Sequence, residues 1–325
     1  MSKLRKLVSL CVMLALVAAL GWSLYHRQYL LDQVRVWQYR PSSDVARLAE
    51  RARLTETGKF YFYLSHPQLE DAAAFNQDCR RVEQASPIVG CFVSGKDQIH
   101  IYNITDPALD GIKEVTAAHE MLHVVWSRLS SDERQRLGAL LETAYQKHQS
   151  PKLAERMAYY ERAQPGARQN ELHSILGTEF ADLGPELEAH YARYFTDRTA
   201  VLRLHEQYNQ TFVRNEEQAG SLSAELAALK PEINRLSEQY QRDVAAFNAK
   251  VTRFNRRAES GDFSSQADFH ARRQELAAER QALRRRYGQI DEKIRRYNQK
   301  ADQLNALGRQ IQRLQQSLDS LEGGR

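Results

Sequence analysis

From Thr196 to the end of the chain the apolar residues recur at spacings of three and four. Leu226, Leu229, Ile233, Leu236 and Tyr240 set the pattern, and Val244, Phe247, Val251 and Phe254 resume it after a four-residue stutter. A stripe of this kind has to bury itself against another helix. Residues 259–266 (ESGDFSSQ) break the period with Gly and Ser. A second stripe then runs through Leu276, Leu283, Tyr287, Ile290, Ile294, Tyr297, Ala301, Leu304, Leu307, Ile311, Leu314, Leu318 and Leu321. Nearly equal arms about one short break predict an antiparallel α-helical coiled-coil hairpin over 197–325, about 80 to 90 Å long at 1.5 Å per residue. Pro231 removes a helix donor and is expected to kink the first arm. The arginine runs 284–286 and 295–296 read as solvated outer faces, because acidic and Gln residues are interleaved with them. The hairpin reads as a surface for a protein partner. No nucleic-acid partner is expected, since 46 basic and 41 acidic residues leave a net charge of only +5.

The other end of the chain carries a different constraint. Leu7–Tyr25 is uncharged and long enough to cross most of a hydrocarbon core of about 30 Å. Lys3, Arg5 and Lys6 precede it, the far flank is mixed in sign, and Trp22 and Tyr25 stand where an interfacial aromatic belt belongs. Residues 1–40 therefore read as a cytoplasmic tip, a transmembrane signal anchor and a juxtamembrane segment. Val17 and Ala19 offer a cut site for a cleaved signal, but the apolar stretch continues past them to Leu24. Either reading exports everything after residue 40, into a periplasmic or extracellular space. Of the three cysteines, Cys79 and Cys91 are the pair that an oxidising compartment would let bridge.

Residues 42–196 mix periods, which predicts an α+β domain with a short sheet. The reading gives a short helix over 42–52, an aromatic strand over 59–65 (KFYFYLS) and a helix over 67–81. Two strands follow, over 87–94 and 98–104, joined by a turn at 95–97. After Gly111 the pattern is helical.

The chemistry centres on residues 119–123, which read HEMLH within the helical stretch 112–126. Positions i and i+4 share a helix face, so His119 and His123 can each point a nitrogen at one tetrahedral ion. Glu120 lies about 100° around, beside the ion, which suits a general base acting on a metal-bound water. Trp126 and Leu129 occupy the places where a metzincin needs Gly and His, so that class is excluded. Neither a glycine-rich phosphate loop nor a G-x-S-x-G nucleophile elbow occurs.

Downstream, residues 170–174 read NELHS. With HEMLH, this arrangement resembles the gluzincin zinc metallopeptidases, the thermolysin-like enzymes whose third ligand is a glutamate in an Asn-Glu-x-x-Ser-Asp motif. The resemblance implies a small zincin-like domain with Zn2+ held by His119, His123 and Glu171, Glu120 as the catalytic base, and Ser174 as the small residue that lets two helices approach. Ile175 stands where the family has an aspartate that orients a ligand histidine. Glu179, two turns along, is then a candidate for that orienting role or for the ligand itself, and Asp182 is a further candidate ligand. Tyr159, Tyr160, His190, Tyr191 and Tyr194 are candidate donors to a developing oxyanion, and the strand 98–104 is a candidate edge for an extended substrate.

These features predict a membrane-anchored, extracytoplasmic zinc metallopeptidase acting on a peptide or protein substrate. The alternative is a non-catalytic envelope scaffold in which the zincin domain is structural.

Overall fold

The computed structural model describes residues 2–79 and 88–321. Along the chain come α1 (Ser2–Tyr25), α2 (Arg27–Gln38), α3 (Ser43–Arg51), α4 (Glu56–Leu64), β1 (Gln68–Glu70), α5 (Ala72–Asp78), β2 (Gly90–Val93) and β3 (Gln98–Tyr102). Then follow α6 (Ile112–Arg128), α7 (Ser131–Lys147), α8 (Pro151–Ala163), α9 (Arg168–Glu179), α10 (Pro185–Tyr191), α11 (Arg198–Ser260) and α12 (Gln266–Leu318). The protein is mostly helical with one small three-stranded sheet. It divides into two compact units, Met1–Thr211 with Arg313–Arg325, and Phe212–Gln312. The division falls inside α11 and α12, whereas composition placed it near residue 197. The first turns of α11 belong to the first unit because Val201 is fully buried and Leu204 and Tyr208 pack on its core. At the other end, Ser320 exchanges hydrogen bonds with Asn76, accepting from Asn76 Nδ2 at its carbonyl and donating from Oγ to Asn76 Oδ1.

In the first unit α6 is buried on nearly all sides, as its apolar run around HEMLH requires. Met121, Leu122 and Val124 meet Phe62, Leu64, Ile99, Ile101, Leu172 and Leu176 in one core. The helix begins at Gly111, whose φ of 96° is left-handed and whose added Cβ would lie 3.0 Å from the Leu204 backbone. Side-chain caps start its neighbours. Ser42 accepts from Val45 N–H ahead of α3, Ser150 accepts from Leu153 N–H ahead of α8, and Ser130 with Glu133 forms a capping box on α7.

The run 59–65, expected as a strand, is instead the body of α4. Thr55 caps it by accepting from Gly58 N–H, and Gly58 and Phe62, one turn apart, both face the core. A Cβ at Gly58 would sit 2.2 Å from the Tyr194 carbonyl oxygen, so this turn lies directly on residues 194–195. Alternating Phe and Tyr imitates a strand period, but the cap and the turn-spaced burial favour helix. The helix expected over 67–81 also changes at its start. Gln68–Glu70 forms β1, and α5 begins after Asp71, whose carboxylate accepts from Ala74 N–H. Residues 80 and 81 of that expected helix, and Pro87 at the start of the expected strand, lie outside the described residues.

The sheet order is β1-β3-β2, with β1 parallel and β2 antiparallel to β3. The strand at 98–104, expected at an edge, is central, and Ile99 and Ile101 are fully buried. The edge that faces α6 is β2. Cys79 at the end of α5 and Cys91 on β2 are disulfide-bonded, with Cα atoms 5.8 Å apart.

In the second unit the arms run antiparallel, paired through Glu225–Lys300, Glu232–Lys293, Asp243–Arg286 and Lys250–Glu279, and the Tyr240 and Tyr287 rings meet at 5.9 Å. The first arm stays helical through Pro231. The break is a turn at Gly261, φ 71°, closed by mutual packing of Phe254, Phe263 and Phe269. Most stripe positions are buried or half-buried, while Tyr287 and Ile294 are exposed beside the seam. The arginines of both runs are solvated or paired with acids, Arg286 with Asp243 and Arg295 with Asp291.

Candidate metal centre

Two helices build the site. His119 and His123, one turn apart on α6, face Glu171 in the first turns of α9. The helices approach closely because α9 turns small residues toward α6. A Cβ on Gly177 would lie 2.6 Å from Leu122 Cδ1, and Ser174 Oγ lies 3.2 Å from His123 Nδ1. The close approach expected of Ser174 is thus shared with Gly177.

The donor atoms of His119, His123 and Glu171 all lie within 4.8 Å of one another. His119 Nε2 is 3.8 Å from Glu171 Oε2, and His123 Nε2 is 3.7 Å from Glu171 Oε1. These separations are too long for hydrogen bonds. They are close to what a shared ion imposes, since two donors about 2.1 Å from a tetrahedral centre stand roughly 3.4 Å apart. Glu171 Oε2 is buried without a hydrogen-bond partner. His123 Nδ1–H donates to Asn170 Oδ1 at 2.9 Å, which leaves Nε2 with its lone pair toward Glu171. The site therefore has the donors, the gap and an unsatisfied buried oxygen that a divalent cation would satisfy.

Burial dominates the electrostatics. It holds His119 well below the ordinary imidazole value, helped by His123. Burial also depresses His123, but the Glu171 and Glu120 carboxylates outweigh it and leave that imidazole raised. Glu171 is raised by burial, against the pull of His123 and Arg156. Glu120 is pushed up to about 7, again by burial, with His123 and a hydrogen bond from the Phe92 amide opposing.

That amide belongs to β2, which lies against α6 so closely that a Cβ on Gly90 would sit 2.3 Å from Thr116 Cγ2 and 3.0 Å from Glu120 Oε1. Tyr102 N–H donates to the Val89 carbonyl, so in the alternating antiparallel ladder Gly90 and Phe92 turn their backbone groups to the outer edge. A cleft of about 570 Å³ opens there, lined by Gly90, His119, Glu120, Arg156, Tyr159 and Tyr160 among others. Tyr160 accepts a hydrogen bond from Arg156, and burial lifts its phenol to about 12.

The structure separates the remaining sequence candidates. Glu179 is apart from the three donors: Arg156 holds both its oxygens, at 2.7 and 2.8 Å, and His205 Nε2 is 3.5 Å away. The acceptor that orients His123 is Asn170, inside the NELHS motif and one residue before Glu171. Ile175, where the family has aspartate, is a core residue. Asp182 is exposed and paired with Lys147. His190 and Tyr191 pack behind α9, where His190 Nε2 meets His173 Nε2 at 2.8 Å and Tyr191 O–H donates to the His173 carbonyl. Tyr194 meets Tyr61 and His190. Sequence reading missed Asn170 as the orienting group, although it stood in the quoted motif, and it missed the whole contribution of β2. Nothing local marks Gly90 or Phe92, whose roles come from strand register.

A second group, Glu70, Asp78 and His100, also brings its donors within 4.8 Å. No protein-family model, curated protein or solved structure matches the chain.

Proposed function

We propose that the protein is a zinc metallopeptidase of the zincin type, held to a membrane by α1 with its bulk on the extracytoplasmic side. The observation that carries this reading is the gap between His119, His123 and Glu171, with a buried oxygen of Glu171 left unsatisfied. Two imidazoles and a carboxylate are a donor set that zinc takes in catalytic sites. Bound there, zinc supplies Lewis acidity, which polarises a peptide carbonyl and acidifies a water molecule.

The rest is done by the chain. Glu120, tuned by burial to about 7, is placed beside the donors without being one of them, and Phe92 N–H steadies its carboxylate. It takes a proton from the attacking water and passes it to the leaving amine. Tyr160 accepts from Arg156 and so keeps its own proton to donate to the substrate carbonyl oxygen as charge develops on it. An extended peptide pairs with the outer edge of β2 at Gly90, where the missing side chain lets it come close to Glu120. The sequence placed this edge on the neighbouring strand.

The test uses the purified chain in detergent. Bound zinc is measured, and cleavage of a peptide library is compared for wild type and Glu120→Gln. We expect zinc in both proteins and a loss of cleavage in the variant of roughly 10²- to 10⁴-fold. Absence of zinc would sink the reading, and zinc without Glu120-dependent cleavage would leave a structural centre on a coiled-coil scaffold.

A further inference from the structure

In the first unit, outside α1, the exposed large apolar side chains among the described residues are Tyr29, Leu31, Val34 and Trp37 of α2, and Leu321. Leu31 and Val34 are each 48% exposed and Trp37 is 76% exposed, whereas most residues of this size in the first unit are buried. At 100° per residue the three fall on one stripe about 120° wide. Arg27 and Gln38 share the stripe, and the one acid of the helix, Asp32, does not.

The opposite face packs inward, apart from half-exposed Tyr29, whose ring lies 6.3 Å from that of Phe60. Asp32 is buried and takes two hydrogen bonds from Arg128, at 2.9 and 3.0 Å, and Arg35 donates to the carbonyls of Leu64, Lys96 and Asp97. Asp32, Arg35 and Val36 centre roughly 160° away from the exposed stripe. Arg128 ends α6, the helix that carries His119 and His123, so the inner face of α2 is bolted to the metal helix. Its outer face is apolar and has no partner among the described residues.

Position in the chain says what covers it. The helix begins one residue after α1, whose stretch Leu7–Tyr25 has a mean hydropathy of 2.3 and is long enough to cross a membrane. Only His26 separates the two, and hydrogen bonds from His26 N–H to Trp22 and from Leu30 N–H to His26 bridge the junction. Along the membrane normal a helix of 12 residues, about 18 Å long, would leave an interfacial layer roughly 5 to 8 Å deep after little more than its first turn, so its outer face stays with lipid where α2 turns at His26 toward the membrane plane. Leu, Val and Trp on one face, a basic residue beside them and no acid on that face make an interfacial surface, with Trp37 suited to the headgroup level.

We propose that the outer face of α2, Leu31, Val34 and Trp37, lies in the lipid interface and pins the first unit, through Asp32–Arg128, against the bilayer. This rests on α1 crossing the membrane and not on peptidase activity, and the test reads lipid contact alone.

The full-length chain carrying Trp22→Phe is reconstituted into vesicles of phosphatidylcholine and phosphatidylglycerol. The fluorescence that Trp37 contributes is obtained by difference from a Trp22→Phe/Trp37→Phe protein, which removes the signal of buried Trp126. Lipids brominated near the headgroup are expected to quench most of the Trp37 signal, and acrylamide in the water phase to quench little. Strong quenching by acrylamide with none by bromolipid would show a face in water and overturn the proposal. Shielding from both would show a protein cover, such as a second copy, and would overturn it too. So would a chain that fails to float with the vesicles.

Discussion

Two groups of one or two imidazoles with carboxylates lie buried in the first unit, and they have closed in different ways. His119, His123 and Glu171 keep 3.7 to 3.8 Å between nitrogen and oxygen, and Glu171 Oε2 has no partner. At the other group His100 Nδ1 has closed to 2.9 Å from Glu70 Oε1, and Asp78 is taken by Lys96 at 2.7 Å. Glu70 Oε2 and His100 Nε2 are also unpartnered, but the ring presents Nδ1 to the carboxylates and so directs Nε2 away from them. Proximity of donors is therefore not the mark of an ion site. What distinguishes the first group is a gap of the right width that every donor faces, maintained because the histidines and the glutamate are fixed on separate, tightly packed helices. His100 and Glu70 sit on paired strands, which bring them into direct contact instead.

The largest expected effect follows from that contrast. In the proposed zinc centre, removing one of three ligands takes away a substantial share of a binding free energy of about 10 to 16 kcal/mol, so Glu171→Ala should weaken zinc binding by roughly a thousandfold. Glu70→Ala should leave zinc affinity unchanged and lower stability by about 1 to 3 kcal/mol, because it strands a buried imidazole. Competitive chelator titration measures the first and denaturant unfolding the second. Equal loss of zinc in both variants would erase the distinction.

Asn170→Ala sharpens it further. The amide oxygen fixes which nitrogen of His123 is bare, and loss of such an orienting partner costs about 10- to 100-fold in metal affinity. Glu179→Ala should not reproduce that loss, because Glu179 serves Arg156 and His205. The same titration decides, and a larger effect from Glu179 would return it to the ligand set.

How much of this was legible in the sequence depends on whether the signal is local. The helical hairpin and the face shared by His119 and His123 follow from helical period alone, and the structure has both. Glu171 came from a motif on a helix that is distant in sequence. By contrast, the run 59–65 misled, because alternating aromatics carry a strand signal that the Thr55 cap and the contact of Gly58 with Tyr194 override. The central place of β3 was not legible either. It depends on β1, three residues hidden at the start of an apparent helix. Asn170 was visible in the motif, but with Ile175 in place of the family's aspartate the spacing along the helix pointed to Glu179 for the orienting role. Orientation of a side chain across two helices is a product of packing, which no spacing encodes.

The smallest effect concerns a second pair of imidazoles, His173 and His190, in contact at 2.8 Å with no gap between them. Arg193 can only donate, and it does so to His190 Nδ1, so His190 Nε2 carries the proton that bonds His173. Burial, with Arg193 and Arg136 nearby, lowers the His190 value to about 3. An unfolded histidine titrates near 6.5, so between these values the unfolded chain binds more protons and folding stability must fall as the pH is lowered. No cost arises above about pH 6.5. Going from pH 7.5 to 5.5 this residue alone should remove about 1.4 kcal/mol. Denaturant unfolding of wild type and His190→Asn across that range should show a shallower acid slope in the variant by this amount. A chelator should leave the difference between the two proteins unchanged, since a pair that is already closed has no place for an ion. A difference that collapsed on metal removal would mean that the two imidazole pairs are not separate after all.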